Sequence, residues 1–292
     1  LLMITASRLM EKVLFKFAGQ WIAGDTYADA LLSAKQANEK GMRCIVNMLG
    51  EYHTSRNLIN NTTENYKNIL SSFKKEGIKG SISVKPTQIG LYLSRKACSE
   101  NLEKIVKHAY HNNYFLWIDM ESSEHTTKTI QIYHRFFSRH ERLGIALQAN
   151  LKRTHDDLTD LLAVGAKIRL VKGAYREKAK IAFKSIKDVD SNYFKLMKML
   201  FKEGNEFGIA THDCNLINGA KKLSKVYDKK FEFQFLKGVR DELKPKLLKE
   251  GFKVSEYIPY GTNWLPYSIR RLKERKRNIL LLGHSFIRSH LV

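Results

Sequence analysis

The segment Tyr267-Ser-Ile-Arg270-Arg271-Leu-Lys-Glu274 carries an aromatic ring, two guanidinium groups and a carboxylate at i, i+3, i+4 and i+7. On a helix these positions share one face, and that face suits a small anion. Further polar groups punctuate the apolar runs upstream. Lys85 closes SISVK, Asp119 closes FLWID, Gln148 lies in IALQAN, and Arg169 and Lys172 lie in KIRLVKG. Thr211 and His212 close GIATH, Gln234 sits in FEFQF, and Tyr257 opens YIPYG. Any one of these alone is explained by a buried polar group satisfied by a neighbour. Recurrence at nearly every run points instead to a cationic pocket with one aspartate, fit for an anionic ligand or a phosphate-bearing cofactor. Gly173 and Ala174, directly after Lys172, let the backbone approach such a ligand closely.

The elements that must position these groups follow from periodicity. From residue 42 onward, strand-like runs alternate with helix-like stretches: MRCIVNML, SISVKPT, YFLWIDM, IALQAN, KIRLVKG, FGIATHD, FEFQFLKG and KVSEYIPYG. Between them, Leu102, Ile105, Val106 and Ala109, and likewise Tyr193, Leu196, Met197, Leu200 and Phe201, fall at helical spacing, with Gly204 where a C-cap is expected. Eight strands with intervening helices over roughly 250 residues predict an α/β (β/α)8 TIM-type barrel, in which the active site is built at the C-terminal strand ends. An open doubly wound sheet is disfavoured, because no G-x-G-x-x-G loop is present. Residues 1–41, with Ala30, Leu31, Ala34 and Ala37 in helical register, read as an N-terminal helical arm, and 42–292 as the barrel with a C-terminal helix. Without a linker or internal repeat, a second domain is not expected.

Composition narrows the function classes. An apolar content of 43% with 11% aromatic residues excludes a disordered chain, and no apolar run approaches the roughly 20 residues of a spanning helix. The N-terminal segment mixes charged and apolar residues and does not read as a signal peptide. Cys44, Cys98 and Cys214 are far apart and form no C-x-x-C pair, which argues against a disulfide framework and a metal site and favours a reducing cytoplasm. Fifty-one basic against 29 acidic residues give a net charge of +22, which favours anionic partners. Zinc-finger spacing and an aromatic RNA-binding signature are both lacking, so nucleic acid is not an expected partner.

These residues also resemble a known family. MLGE at 48–51, SVKPTQIGL at 83–91, FLWIDME at 115–121, QANLKRT at 148–154, RLVKGAYRE at 169–177, ATHD at 210–213, EFQFLKGVRDEL at 232–243, YIPYG and YSIRRLKE are similar, in order, to the motifs of proline dehydrogenase. The resemblance implies an FAD-dependent barrel that oxidises L-proline to Δ1-pyrroline-5-carboxylate, the first step of proline catabolism, by hydride transfer from proline C5 to flavin N5. It implies a membrane quinone as electron acceptor, hence a cytoplasmic enzyme with a peripheral contact on the inner face of the cell membrane. The length suits a monofunctional bacterial or archaeal type, without the aldehyde dehydrogenase domain of bifunctional relatives. By similarity, Lys85, Arg270 and Arg271 clamp the proline carboxylate, Tyr257 and Tyr267 pack on the ring, and Leu236 lines the pocket. Asp119 and Arg169 form the catalytic pair, with Arg169 near the flavin N5. Met120, Gln148, Lys172, Gly173, Ala174, Thr211 and His212 hold FAD together with Arg169. Glu51 pairs with Arg270 as a gate, and Glu274 braces the helix. Asn47, Pro86 and Asn150 depart from the usual Asp, Leu and aromatic residue. The rival readings are another flavin-dependent barrel resembling methylenetetrahydrofolate reductase, which does not require the paired arginines, and a basic barrel that binds nucleic acid or membrane without catalysis.

Overall fold

In each apolar run, every second residue faces one way, and this parity decides the architecture. The computed structural model describes residues 19–269. Eight parallel strands close into a barrel in sequence order, β1 Arg43–Met48, β2 Gly80–Val84, β3 Phe115–Ile118, β4 Leu143–Gln148, β5 Lys167–Val171, β6 Glu206–Ala210, β7 Lys230–Leu236 and β8 Lys253–Tyr260. Closure is through β1 and β8, which pair over six positions from Arg43↔Ser255 to Met48↔Tyr260. Among the described residues, helices α1 Tyr27–Glu39, α2 Arg56–Lys75, α3 Arg95–His111, α4 Ser123–Phe137, α5 Thr154–Ala163, α6 Ile186–Glu203, α7 Cys214–Ser224 and α8 Lys244–Lys249 surround the strands.

The main core lies between strands and helices. Cys44, Val46, Ile82, Val84, Leu116, Ile118, Ile168, Leu170, Phe233 and Phe235 pack outward against the helical faces, in one continuous cluster with Tyr66, Leu102, Tyr193 and Met197. The alternate strand positions point into the lumen, and many are small or polar, with the Trp117 and Tyr257 rings among them. A barrel lumen is ordinarily filled by branched aliphatic layers. Here Gly208 leaves room for Gln234 and Gly144 for the Trp117 ring, while Ser83 bonds Asp119 and Arg169 and Ser255 bonds Glu232.

Five of these eight helices begin where the sequence offers a side-chain acceptor. The Ser55, Ser94 and Ser185 hydroxyls and the Asp213 carboxylate accept from the free N–H groups of α2, α3, α6 and α7. Thr26 and Asp29 form a capping box at α1, whose buried Ala30, Leu31, Ala34 and Ala37 lie against β1 and β8. Gly204 caps α6 as expected, yet with extended backbone at φ −71° rather than the left-handed turn. The requirement for glycine there is space, since a Cβ would sit 2.6 Å from the Leu200 carbonyl oxygen.

Two strands end earlier than the apolar pattern suggests. β2 stops at Val84, because Pro86 opens a 3-10 turn, Pro86–Ile89, and β3 stops at Ile118. Lys85 and Asp119 therefore stand one step beyond the ladder, at the C-terminal mouth. After β8 the chain turns at Gly261, φ +121°, into a helical stretch over 264–269 that contains Tyr267.

Candidate active site

Lys85, Asp119, Arg169 and Tyr257 come from four different strands, and the barrel brings them to one point. Asp119 is the hub. Its Oδ1 accepts from Arg169 Nη1 at 2.7 Å and from Ser83 Oγ at 2.6 Å. Its Oδ2 accepts from Tyr257 Oη at 2.7 Å, with Lys85 Nζ at 3.6 Å. Lys85 Nζ also donates to Asn47 Oδ1 at 3.1 Å, so the neutral amide at 47 leaves Asp119 as the carboxylate paired with that lysine. Arg169 is 3% exposed. Its guanidinium lies 4.7 Å above the Trp117 ring and 5.6 Å from that of Tyr257. Nε donates to Gln234 Oε1 at 2.7 Å, while Nη2 is buried with no acceptor among the described residues.

Electrostatics fix the protonation states of this cluster. Burial would raise the Asp119 carboxyl, but the Lys85 and Arg169 charges and the hydrogen bonds from Ser83 and Tyr257 outweigh it and hold its pKa below the usual range. Burial, with the Asp119 charge beside it, pushes Tyr257 well above a free phenol, so it remains the donor to Asp119. Burial also draws Arg169 down from its ordinary value, opposed by the Asp119 carboxylate. An ionised aspartate, a protonated phenol and a desolvated guanidinium form an anion-stabilising pocket without a ready general base.

A second group of residues borders the cluster. Glu121 is fully buried and accepts from the Thr87 N–H at 2.9 Å and the Thr87 hydroxyl at 2.5 Å. Burial pushes its carboxyl up to about 7, against the pull of those two bonds. Thr87 in turn holds the loop after β1, because the Tyr52 N–H donates to its hydroxyl and the His53 N–H to its carbonyl. Tyr52 takes the left-handed φ of 59°, a strained backbone for a non-glycine residue. On the same loop Glu51 accepts from Tyr175 Oη at 3.0 Å, which spans the mouth from β1 to β5.

On the β4 to β7 side, Gln148 donates to the Glu121 carbonyl at 2.8 Å. Lys172 makes ion pairs with Asp190 and Asp213. Gly173 adopts φ +106°, and a Cβ there would overlap Asn150 Oδ1, a buried acceptor with no partner among the described residues. Thr211 is buried and accepts from the Asp213 N–H at 3.2 Å. His212 Nε2 accepts from the Leu236 N–H at 3.0 Å, which makes Nδ1 the protonated nitrogen of the neutral ring. Met120 is buried at the end of β3, and Ala174 follows Gly173 in the long loop after β5. Tyr267 packs with Trp21, Ile22 and Leu49. Arg270, Arg271 and Glu274 lie outside the described residues, as do residues 1–18.

Ser83, Trp117, Glu121 and Tyr175 belong to this site, yet motif reading assigned them no role; Gln234, noted in the sequence only as a polar strand residue, joins them as the partner of Arg169. Strand parity would have found two of them, since Ser83 is two positions before Lys85 and Trp117 two before Asp119.

The fold and the cluster together define a (β/α)8 barrel protein with a cationic, aspartate-anchored pocket at its C-terminal mouth. Residues 30–280 match the sequence profile described as proline dehydrogenase, and the chain belongs to that family. It is 36% identical over 265 residues to proline dehydrogenase 2 of Bacillus subtilis, covering 90% of this chain and 88% of that one. With the proline dehydrogenase of Deinococcus radiodurans it shares 29% identity over 290 residues, 97% of this chain and 94% of the relative. Among solved structures, proline utilization A from Bdellovibrio bacteriovorus superposes with a TM-score of 0.84 at 21% identity, over 92% of this chain. The same protein from Corynebacterium freiburgense gives 0.77 at 22%, over 90%. The chain spans about a third of the length of these two structures, 33% and 31%, and the likeness to them is one of fold.

Proposed function

We propose that the protein oxidises L-proline to Δ1-pyrroline-5-carboxylate with FAD as its cofactor and a membrane quinone as the final electron acceptor. The observation that carries this reading is the Arg169 guanidinium, buried, fixed on Nε and Nη1, and left with an open Nη2 donor at the strand ends. A buried donor without an acceptor costs about 1–3 kcal/mol, so such an atom calls for a ligand group. The glycine at 173, with its left-handed backbone and no room for a Cβ, supplies a cradle in which backbone approaches a flat or phosphate-bearing group. Both features fit a flavin dinucleotide, held by Arg169, Met120, Gln148, Lys172, Gly173, Ala174, Thr211 and His212. FAD bound there supplies the hydride acceptor.

The chain's own residues bind and orient the substrate. Lys85, with Arg270 and Arg271 from the segment outside the described residues, holds the carboxylate through charge-assisted hydrogen bonds, and Tyr257, Tyr267 and Leu236 flank the ring. Pinning the carboxylate fixes the ring carbon that loses hydride, which makes the transfer effectively unimolecular. The cationic surroundings disfavour an aminium, so proline is presented with its nitrogen neutral. Asp119, kept ionised, and Tyr257, kept protonated, hold Arg169 where negative charge develops. Glu51 gates the pocket, and Glu274, which the resemblance assigns a supporting role, lies outside the described residues.

Anaerobic absorbance spectroscopy tests the reading. The purified protein is expected to carry a flavin spectrum that L-proline bleaches, and a colourless protein or a flavin unmoved by proline would refute it. Arg270→Lys is expected to raise KM for proline at least tenfold while flavin remains bound, because an ammonium cannot reproduce a bidentate fork, a difference of about 1.4 kcal/mol or more.

A further inference from the structure

The lumen contains a polar chain that runs away from the candidate site toward the opposite end of the barrel. Glu232 and Gln234, two apart on β7, both face inward, while Phe231, Phe233 and Phe235 alternate with them. Gln234 Oε1 accepts from Arg169 Nε at 2.7 Å, and its Nε2 donates to Glu232 Oε1 at 2.6 Å. The second carboxylate oxygen, Oε2, accepts from Ser255 Oγ at 2.7 Å. In β6, Gly208 stands level with Arg169 and Glu232, and a Cβ there would come within 2.5 Å of Gln234 Nε2. The strand beside the amide therefore leaves it space.

Chemistry alone dictates the direction of this chain. An arginine Nε–H only donates and a carboxylate only accepts, so an amide between them must turn its oxygen to the arginine and its nitrogen to the glutamate. We propose that Glu232 is a remote positioning residue, which locks the Gln234 amide in the orientation that holds the Arg169 guanidinium from the side opposite Asp119. Without Glu232, the amide is free to rotate about its terminal torsion and present N–H to N–H, which releases Nε. Asp119 and Ser83 grip only Nη1, so Nη2 loses its fixed direction. Glu232 lines a cleft at the N-terminal mouth with Arg43, Lys230 and Lys253, on the far side of the barrel from the strand ends that carry Lys85 and Asp119. It acts through Gln234 without touching substrate or cofactor.

The catalytic consequence rests on the proposed role of Arg169, whereas the positioning does not, and the test separates them. In the full-length protein as purified, the Arg169 Nε–H signal is followed by proton–nitrogen NMR, identified by its loss in Arg169→Lys. Glu232→Met, which removes the acceptor but keeps the bulk, is expected to speed exchange of this proton with water about tenfold, the worth of roughly one hydrogen bond. Glu232→Gln, whose own amide oxygen can face Gln234, is expected to restore the slow exchange. If Glu232→Met does not fold, Glu232→Ala serves, since water entering from the cleft both donates and accepts and imposes no orientation. Unchanged exchange in the variant that folds overturns the proposal. Faster exchange with a parallel, about tenfold, fall in kcat for proline, rescued by Glu232→Gln, supports both positioning and the role of Arg169. Faster exchange with kcat unchanged supports the positioning and sinks the assignment of Arg169 to the reaction.

Discussion

Arg169 and Asp119 are a buried ion pair whose members depend on each other. Removing the carboxylate leaves a guanidinium that is 3% exposed without its charge partner. Asp119→Ala is therefore expected to cost about 3–5 kcal/mol in denaturant unfolding, and a loss under 1 kcal/mol would contradict the buried-pair account. Tyr257→Phe removes one hydrogen bond to Asp119 Oδ2 and keeps the ring beside Arg169, so its cost is expected near 1 kcal/mol by the same measurement. Gly173→Ala acts differently. The left-handed backbone and the overlap with Asn150 make any Cβ a strain on the proposed cofactor cradle. Its expected signature is a lower flavin-to-protein absorbance ratio in purified protein, with folding largely retained. The sequence made Asp119, Arg169 and Lys85 visible because charges closing apolar runs are conspicuous. Ser83 and Trp117 were not, because a serine and a tryptophan within a strand are ordinary residues until their neighbours are known, and Gln234 stood out as a polar strand residue without its partner Arg169 being legible.

Among the elements, the ends of β1, β2 and β3 are joined by one carboxyl group. Glu121, just beyond β3, holds Thr87 of the turn after β2, and Thr87 holds the loop that carries Glu51. Its folded pKa of about 7 exceeds the ordinary carboxyl value of 4.5, so between these pH values the native state holds a proton that the unfolded state has released. The stability from this group is full below pH 4.5 and is lost as pH rises to about 7. Relative to Glu121→Gln, wild-type unfolding free energy is expected to fall by about 3 kcal/mol across that window. Parallel curves for the two proteins would refute the assignment. The end of α6 at Gly204 was legible in the chain because a glycine after an apolar helical repeat is local chemistry. The early ends of β2 and β3 were less so, because the apolar pattern continues past the residue at which the chain leaves the ladder.

At the scale of the whole molecule, closure and charge dominate. Pairing of β1 with β8 removes both sheet edges and carries Tyr257 to Asp119, 138 residues away in the chain. Among the described residues no helix is long and apolar enough to cross a membrane. With a net charge of +22, the protein is expected to co-sediment with anionic vesicles more than with neutral ones, and less as salt is raised. Equal binding to both would remove the proposed peripheral contact with a membrane. The basic segment Lys273–Arg277 and the apolar run Ile279–Leu282, which the sequence offers for that contact, lie outside the described residues.

Periodicity predicted the order of strands and helices and the barrel class, and the ordered motifs carried the resemblance to the family, because each depends on residues close together in the chain. Tertiary structure decided which polar groups meet. Glu232 and Gln234 on one strand, and Arg169 some 65 positions earlier, become one directed chain only because parallel pairing places β5, β6 and β7 side by side and turns their alternate residues into a common lumen. The Tyr267, Arg270, Arg271 and Glu274 face remains a reading of helical spacing. The strand-end cluster at Asp119 is instead a product of closure, since no local pattern brings four strands together.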